Sequence, residues 1–323
     1  MRKKTFAPYP NGKARNQTVR ILAIIIVLVY GAFTALHDKN ERKNAQTAFL
    51  QADGLFAAYF IDVGQGDATL LVAPDGESML IDCGPTASAD YLVKYMNDVG
   101  VQTLEYLILT HPHEDHYGGA SAVIENFPVE NFLIQGDSTE FYPYDRLIYM
   151  ATHNRFDTET AVIGAHIGDG FTFADTAEFR IFAPEKADPD DANESSLAIK
   201  LVYGETAFLF TGDAETGSEN AMLADGFNLK ADVFSAGHHG SATSNSDGFV
   251  AAVSPSFAVV SCGKNNSYGH PHKKTLATFK KYGVTVLRTD ESGDIVLLSD
   301  GKSVVYADAD QIGEAFSERK AAA

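Results

Sequence analysis

The sequence predicts an α/β fold of the αββα kind, two sheets packed face to face with helices outside. Three observations predict it. From residue 55 onward, short apolar runs of strand length alternate with a few helical ones. The strand-like runs cluster in the two halves of that region rather than following one strict strand-helix alternation. Apolar content is 45 %, and 21 Phe supply the volume for a large core.

The elements follow in order. Residues 55–61 and 68–73 read as strands, joined by the turn Asp62-Val63-Gly64-Gln65-Gly66-Asp67. That turn is too short to cradle a phosphate ahead of a helix, so a hairpin is expected. Residues 78–82 form another strand, ending in Asp82-Cys83-Gly84. Residues 89–99 have helical spacing, with Tyr91, Leu92 and Tyr95 on one face. A buried strand at 104–109, a helix at 120–126, a strand at 131–135 and a helix at 144–154 follow. Residues 171–182 read as two strands, and 196–203 and 207–211 as a hairpin around Gly204-Glu205. The second half adds strands at 232–235, 257–261, 285–287, 294–298 and 303–306, with a helix at 273–282.

The ends of the chain read differently. Arg2, Lys3, Lys4, Lys13, Arg15 and Arg20 fall in the first twenty residues, which hold no acid, although the whole chain carries −18. Val19–Leu36 is apolar apart from Arg20, close to the ~20 residues that span a bilayer. The expectation is a basic cytoplasmic segment 1–20, an uncleaved single-pass anchor 21–36, a linker 37–52, a domain 53–310 outside the cytoplasm, and a tail 311–323. A domain so acidic is not a general nucleic-acid coat, although a phosphodiester can still be cleaved at a metal site. Cys83 and Cys262 cannot build a disulfide framework and read as small buried residues.

Potential ligands gather at strand ends. Thr110-His111-Pro112-His113-Glu114-Asp115-His116 places three imidazoles and a carboxylate in the spacing H-x-H-x-D-H on a loop leaving a strand. Imidazole and carboxylate are the ordinary ligands of zinc and similar ions. Phe208–Asp213 delivers an aspartate through a glycine, Val233–Ser241 delivers His238 and His239, and Asn266–His272 adds His270 and His272. Seven of ten histidines lie in these three histidine-bearing segments.

The run ILTHPHEDHYGG resembles the metal motif of the metallo-beta-lactamase fold. FIDVGQGDATLL, LIDCGP, ESSLAIKL, LFTGDAE, SAGHHGS and NSYGHPH resemble one branch of it, the catalytic domain of ComEC-type competence proteins and their stand-alone relatives, over about residues 55–307. The multi-span channel region of the DNA-uptake proteins is not in this sequence, so the uptake role does not carry over.

The resemblance implies two divalent cations, zinc with manganese as the other candidate. His111 and His113 would hold the first. Asp115, His116 and His238 would hold the second, and Asp213 would bridge both. Either His238 or His239 could be the ligand, and the resemblance favours His238 because it comes first off the strand. Asp82 and His239 would then support the ligands or meet substrate. Many family members carry a further histidine for the first metal ahead of the strand beginning near Ser196. This sequence has Asp190–Ser196 there instead, so Asn193, Glu194 or water would complete that site. Two such cations activate a shared water for attack on phosphorus or carbonyl. Asp115 would guide that water, and His270 would bind the oxyanion or protonate the leaving group. Ser241 could hydrogen-bond a phosphate. The implied activity is hydrolysis, with a phosphodiester in nucleic acid or a cell-envelope polymer favoured over an ester, thioester or lactam. A non-catalytic envelope scaffold is the other class, which metal content and turnover separate.

Overall fold

The computed structural model describes residues 55–136, 143–184, 188 and 190–307. The basic segment, apolar run, linker and tail expected at 1–20, 21–36, 37–52 and 311–323 lie outside them. Among the described residues no helix is long and apolar enough to cross a membrane.

The strands are β1 (Phe56–Phe60), β2 (Thr69–Val72), β3 (Ser78–Ile81), β4 (Leu104–Ile108), β5 (Val129–Gln135), β6 (Ala161–Ala165), β7 (Gly170–Phe173), β8 (Ala177–Ala183), β9 (Ala198–Tyr203), β10 (Thr206–Phe210), β11 (Val233–Ser235), β12 (Phe257–Val260), β13 (Thr285–Arg288), β14 (Ile295–Ser299) and β15 (Val304–Tyr306). One sheet runs in the order β15-β14-β1-β2-β3-β4-β5-β6, the other β13-β12-β11-β10-β9-β8-β7. In each, the half that leads to the ligand loops is parallel: β3 through β6, and β10 through β13. The remaining pairs are antiparallel, including the β1–β2 hairpin in which Phe60 faces Thr69.

Alternation along the strands explains the two layers of core. Phe208 and Phe210 of β10 point between the sheets with Phe56, Phe60, Phe179, Ile199 and Val259. Ala207 and Leu209 point the other way, onto a cluster with Phe234, Val260, Phe249 and Phe279. Strands buried on both faces must be apolar at every position, which is why TAFLF and FAVV read as continuous runs. Each buried Phe contributes roughly 1.5–3 kcal/mol of transfer free energy. The helices Asp247–Val253 and Lys273–Lys281 supply Phe249 and Phe279 to the outer cluster. On the other sheet, Ala89–Val99 brings Tyr95 against the outward-facing Tyr59, with ring centroids 6.3 Å apart. That helix stops at Gly100, whose φ of 97° closes its last turn.

One strand and several short helices, Glu114–Tyr117 and Thr289–Ser292 among them, escaped the sequence reading. β6, AVIGA, is an edge strand, mostly half-exposed and interrupted by Gly164. The helix Thr216–Ala224 opens on the polar run TGSEN. Asp247–Val253 is a short helix whose start is set by the Ser246 hydroxyl accepting from the Phe249 N–H at 3.4 Å. Cys83 and Cys262 are buried and unpaired as thiols, as expected.

Candidate metal centre

The ligand-bearing loops leave the same ends of the two parallel half-sheets: Asp82 after β3, residues 110–116 after β4, Asp213 after β10, and His238-His239 after β11. This is the end of an α/β sheet where sites form, because diverging loops leave a crevice there. Two groups of ligand atoms converge in it, His111-His113-Asp213 and Asp67-His116-His239.

Asp213 is the pivot. Its Oδ1 lies 3.2 Å from His116 Nε2 and 3.6 Å from His239 Nε2, and His239 Nε2 lies 3.3 Å from Asp115 Oδ2. Its Oδ2 lies 3.8 Å from His111 Nε2 and 3.5 Å from His238 Nε2. His111 Nε2 and His113 Nδ1 face each other at 3.0 Å. His116 Nε2, His239 Nε2 and Asp213 Oδ1 are buried without a hydrogen bond despite this crowding. Ligand atoms arranged tetrahedrally at ~2.1 Å from one centre stand about 3.4 Å apart, so the spacing fits a shared cation at each group. The donor set, imidazole and carboxylate only, fits zinc and its borderline neighbours.

Two of the rings, His116 and His239, are aimed by an acceptor on the other nitrogen. His116 Nδ1 donates to Asp82 Oδ2 at 2.8 Å. Asp82 is fixed in turn by the Thr110 N–H (2.8 Å) and hydroxyl (2.7 Å). His239 Nδ1 meets both Asp67 Oδ1 (3.1 Å) and the Ser261 carbonyl (3.0 Å). A carbonyl only accepts, so Nδ1 carries the hydrogen and Nε2 is left with its lone pair. Carboxylate-histidine pairs of this kind orient metal ligands and raise their basicity.

Burial alone would lower the pKa of His116 and His239, but the surrounding carboxylates, Asp213 foremost, outweigh it and hold both well above the usual imidazole value. Burial would raise Asp213 and Asp115, yet the facing histidines hold both below the usual carboxylate range. His111, buried and beside His116, is pushed down.

Most expected site residues are brought together here: His111, His113, Asp115, His116, Asp213 and both paired histidines, with Asp82 behind His116. The expectation that His238 joins Asp115 and His116 does not match the geometry. His239 stands there, and His238 faces the opposite oxygen of Asp213. On extended backbone, adjacent side chains would diverge. Instead His238 (φ 50°, ψ 51°) and His239 (φ 53°, ψ 29°) are both left-handed, so both rings turn inward. Ser241 is also displaced from its expected role. Its hydroxyl meets Thr243 at 2.9 Å, and it shapes the loop rather than facing the ligands. Asn193 donates to Glu215 at 3.3 Å at the rim. Glu194 instead accepts from the N–H groups of Gly217 and Ser218, both at 2.8 Å.

His270 is buried at the mouth, its ring centroid 5.5 Å from that of His238 and 6.1 Å from that of His239. Burial and the neighbouring His239, His238 and His272 push it down to about 4, so it is neutral near pH 7. Its Nδ1 makes no hydrogen bond. Two functional residues were missed from the sequence, Asp67 and Glu215. Both lie in quoted motifs, at the end of the glycine turn and two residues after Asp213, and the signal was an acid beside a glycine-bounded ligand loop.

The model of the metallo-beta-lactamase superfamily matches residues 61–264. ComE operon protein 3 of Bacillus subtilis is 33 % identical over 253 residues, covering 73 % of this chain and 32 % of that protein. Competence protein ComA of Neisseria gonorrhoeae is 34 % identical over 234 residues, covering 72 % and 30 %. This chain therefore spans about a third of the length of these relatives. Among solved structures, the metallo-beta-lactamase fold protein YhfI from Bacillus subtilis superposes with a TM-score of 0.51 at 13 % identity, over 76 % of this chain and all of that one. With the motifs, the two-sheet fold, the ligand cluster and a family match over more than half its length in agreement, the chain belongs to the metallo-beta-lactamase superfamily, in the company of the ComEC-type competence proteins.

Proposed function

We propose that the chain is a metal-dependent hydrolase of phosphodiester bonds, in nucleic acid or an envelope polymer. The observation that carries the reading is Asp213, which closes the group His111-His113-Asp213 and sets its other oxygen 3.2 Å from His116 and 3.6 Å from His239. His111 and His113 would hold one cation, Asp115, His116 and His239 the other, with Asp213 between. Bound there, two cations supply Lewis acidity and an activated water.

The chain's own residues account for the rest. Asp115 is the ligand with part of its carboxylate open to solvent, its side chain 32 % exposed, so it can accept a proton from an attacking water. His270 is neutral and still has an N–H to offer. It suits hydrogen bonding to a developing oxyanion or the leaving oxygen, and it is not charged enough near pH 7 to serve as a strong acid. The competence relatives support a nucleic-acid substrate. The apolar run 21–36 behind a basic segment supports a membrane anchor with the domain outside the cytoplasm. That orientation fails if protease added to intact cells cannot reach the domain while lysis exposes it.

The test of the activity is turnover by the purified full chain, loaded with zinc or manganese, on bis(p-nitrophenyl) phosphate and single-stranded DNA beside ester, thioester and lactam reporters. Phosphodiester turnover that disappears in Asp213→Ala is the expected result. Turnover confined to the ester, thioester or lactam panel overturns the substrate assignment, and a metal-loaded protein inert on every substrate overturns the hydrolase reading.

A further inference from the structure

We propose that His238 is a ligand of the first cation, replacing the histidine that this sequence lacks ahead of β9, so that the adjacent histidines serve two different cations. The inference rests on the reading that the cluster holds two cations.

The first argument is the sorting around Asp213. Its Oδ1 is shared by His116 and His239, its Oδ2 by His111 and His238. A carboxylate bridging two cations through both oxygens would present one to each. His238 Nε2 faces the same oxygen as His111 Nε2, from outside the tight group His111-His113-Asp213.

The second argument is the tautomer. His238 Nδ1 lies 3.2 Å from Glu215 Oε1. That same oxygen is held in place by the Thr243 hydroxyl at 3.0 Å and by the Asn193 amide at 3.3 Å. The Thr243 hydroxyl that donates to Glu215 also meets His238 Nδ1 at 3.4 Å, so with its hydrogen turned to the carboxylate its oxygen accepts from Nδ1–H, which leaves Nε2 facing the centre. Glu215 thus stands behind His238 through the Thr243 hydroxyl, where Asp82 and Asp67 meet His116 and His239 directly.

The third argument is the backbone. Two consecutive non-glycine residues in the left-handed region are uncommon and strained. One such residue would aim one ring. Two in succession bring both rings to opposite oxygens of Asp213, which gives the strain a purpose. Asn193, in the segment where many family members carry the histidine, reaches Glu215 and so steadies His238.

Metal content decides the matter without reference to turnover, so an inactive protein that still takes two cations would sink the hydrolase reading and leave this one standing. Metal-free full chain is titrated with Zn(II) and then Mn(II) by calorimetry, and bound metal is counted by mass spectrometry after dialysis. The wild type is expected to hold two equivalents, and His238→Ala one, with affinity for the other reduced at least about tenfold. Glu215→Gln should weaken that same equivalent by about 10–100-fold. The doubles assign the sites. His113→Ala with His238→Ala should still hold one equivalent, because both losses fall on the first cation. His113→Ala with His239→Ala should hold none. His238 is partly exposed, so its replacement leaves the fold intact, and Glu215→Gln tests the same cation through a second residue. The proposal is overturned if the wild type holds a single equivalent, if His238→Ala keeps both affinities, if its loss coincides with that of His239→Ala, or if Asn193→Ala removes the first cation while His238→Ala does not.

Discussion

Asp67 and His239 are 172 positions apart and meet at 3.1 Å through Oδ1 and Nδ1. One comes from the first hairpin of one sheet, the other from a strand end of the opposite sheet. The contact ties the glycine turn to the ligand whose Nε2 faces Asp115 and Asp213.

The Asp67 carboxylate is therefore expected to tune the second cation. Asp67→Asn keeps the size and removes the charge that raises the basicity of His239. Affinity for one equivalent should fall about 10–100-fold in a calorimetric titration, with the other unchanged. An unaltered titration would sink the assignment. Asp75→Asn, on an exposed turn, is the control.

Gly66 tests how closely that turn must approach the histidine loop. Its φ is 142°, and a Cβ there would collide with the Asp115 carbonyl oxygen. Gly66→Ala should lower stability by about 1–3 kcal/mol and disturb metal binding as the 110–116 loop shifts. Gly64, also left-handed at φ 81°, has open space beside it. Gly64→Ala should carry only the backbone strain, near ~1 kcal/mol, and retain both cations. Equal loss of metal in the two variants would contradict the collision.

Metal affinity should rise with pH. His116 and His239 are held well above their ordinary value near 6.5, so in the metal-free chain their protonated forms persist to higher pH than in a free imidazole. A cation needs the neutral rings and must displace those protons, roughly two per second-site ion. The sign for stability is opposite in the two forms. In the metal-free chain these raised values stabilise fully below about 6.5 and that contribution is lost as pH rises through the folded-state values. The melting temperature of metal-free protein should fall from pH 6.5 upward, while the increment given by saturating metal grows. A gap between loaded and metal-free melting temperatures that is constant from pH 6.5 to 8.5 would refute this.

Phe208→Ala probes the core apart from the site. The ring is fully buried between the sheets, 5.4 Å from Phe56. Its loss should cost about 3–5 kcal/mol in urea unfolding. Because its neighbours are aromatic and aliphatic rather than ligands, protein that remains folded should still bind both cations. A cost below 1 kcal/mol would mean that the layer is not packed as described.

Much of this was legible in the sequence because the signals were local. Periodicity and strand length marked Ala89–Val99, β1, β10 and β12, and the spacing of residues 111–116 announced a metal loop. The Asp67–His239 and Glu215–His238 pairs were not legible. They depend on which loops the sheets bring together, and no local pattern encodes a contact spanning 172 positions. The roles of His238 and His239 were misassigned for a different reason. Side-chain direction follows from backbone conformation, and two successive left-handed histidines violate the statistics on which sequence reading relies. β6 was missed because an edge strand need not be apolar on both faces.

The division of ligands between sheets sets a schedule for maturation. His111, His113, Asp115 and His116 hang from the sheet made largely by the first half of the chain, while Asp213, His238 and His239 hang from the other. The first sheet is finished only when β14 and β15 return to flank β1, after every ligand loop has been laid down. A nascent or truncated chain can display the histidine loop, yet it lacks the bridging carboxylate and the opposing rings. Cation capture would therefore be a late event, and a loaded centre would certify that both halves of the sandwich have closed on each other.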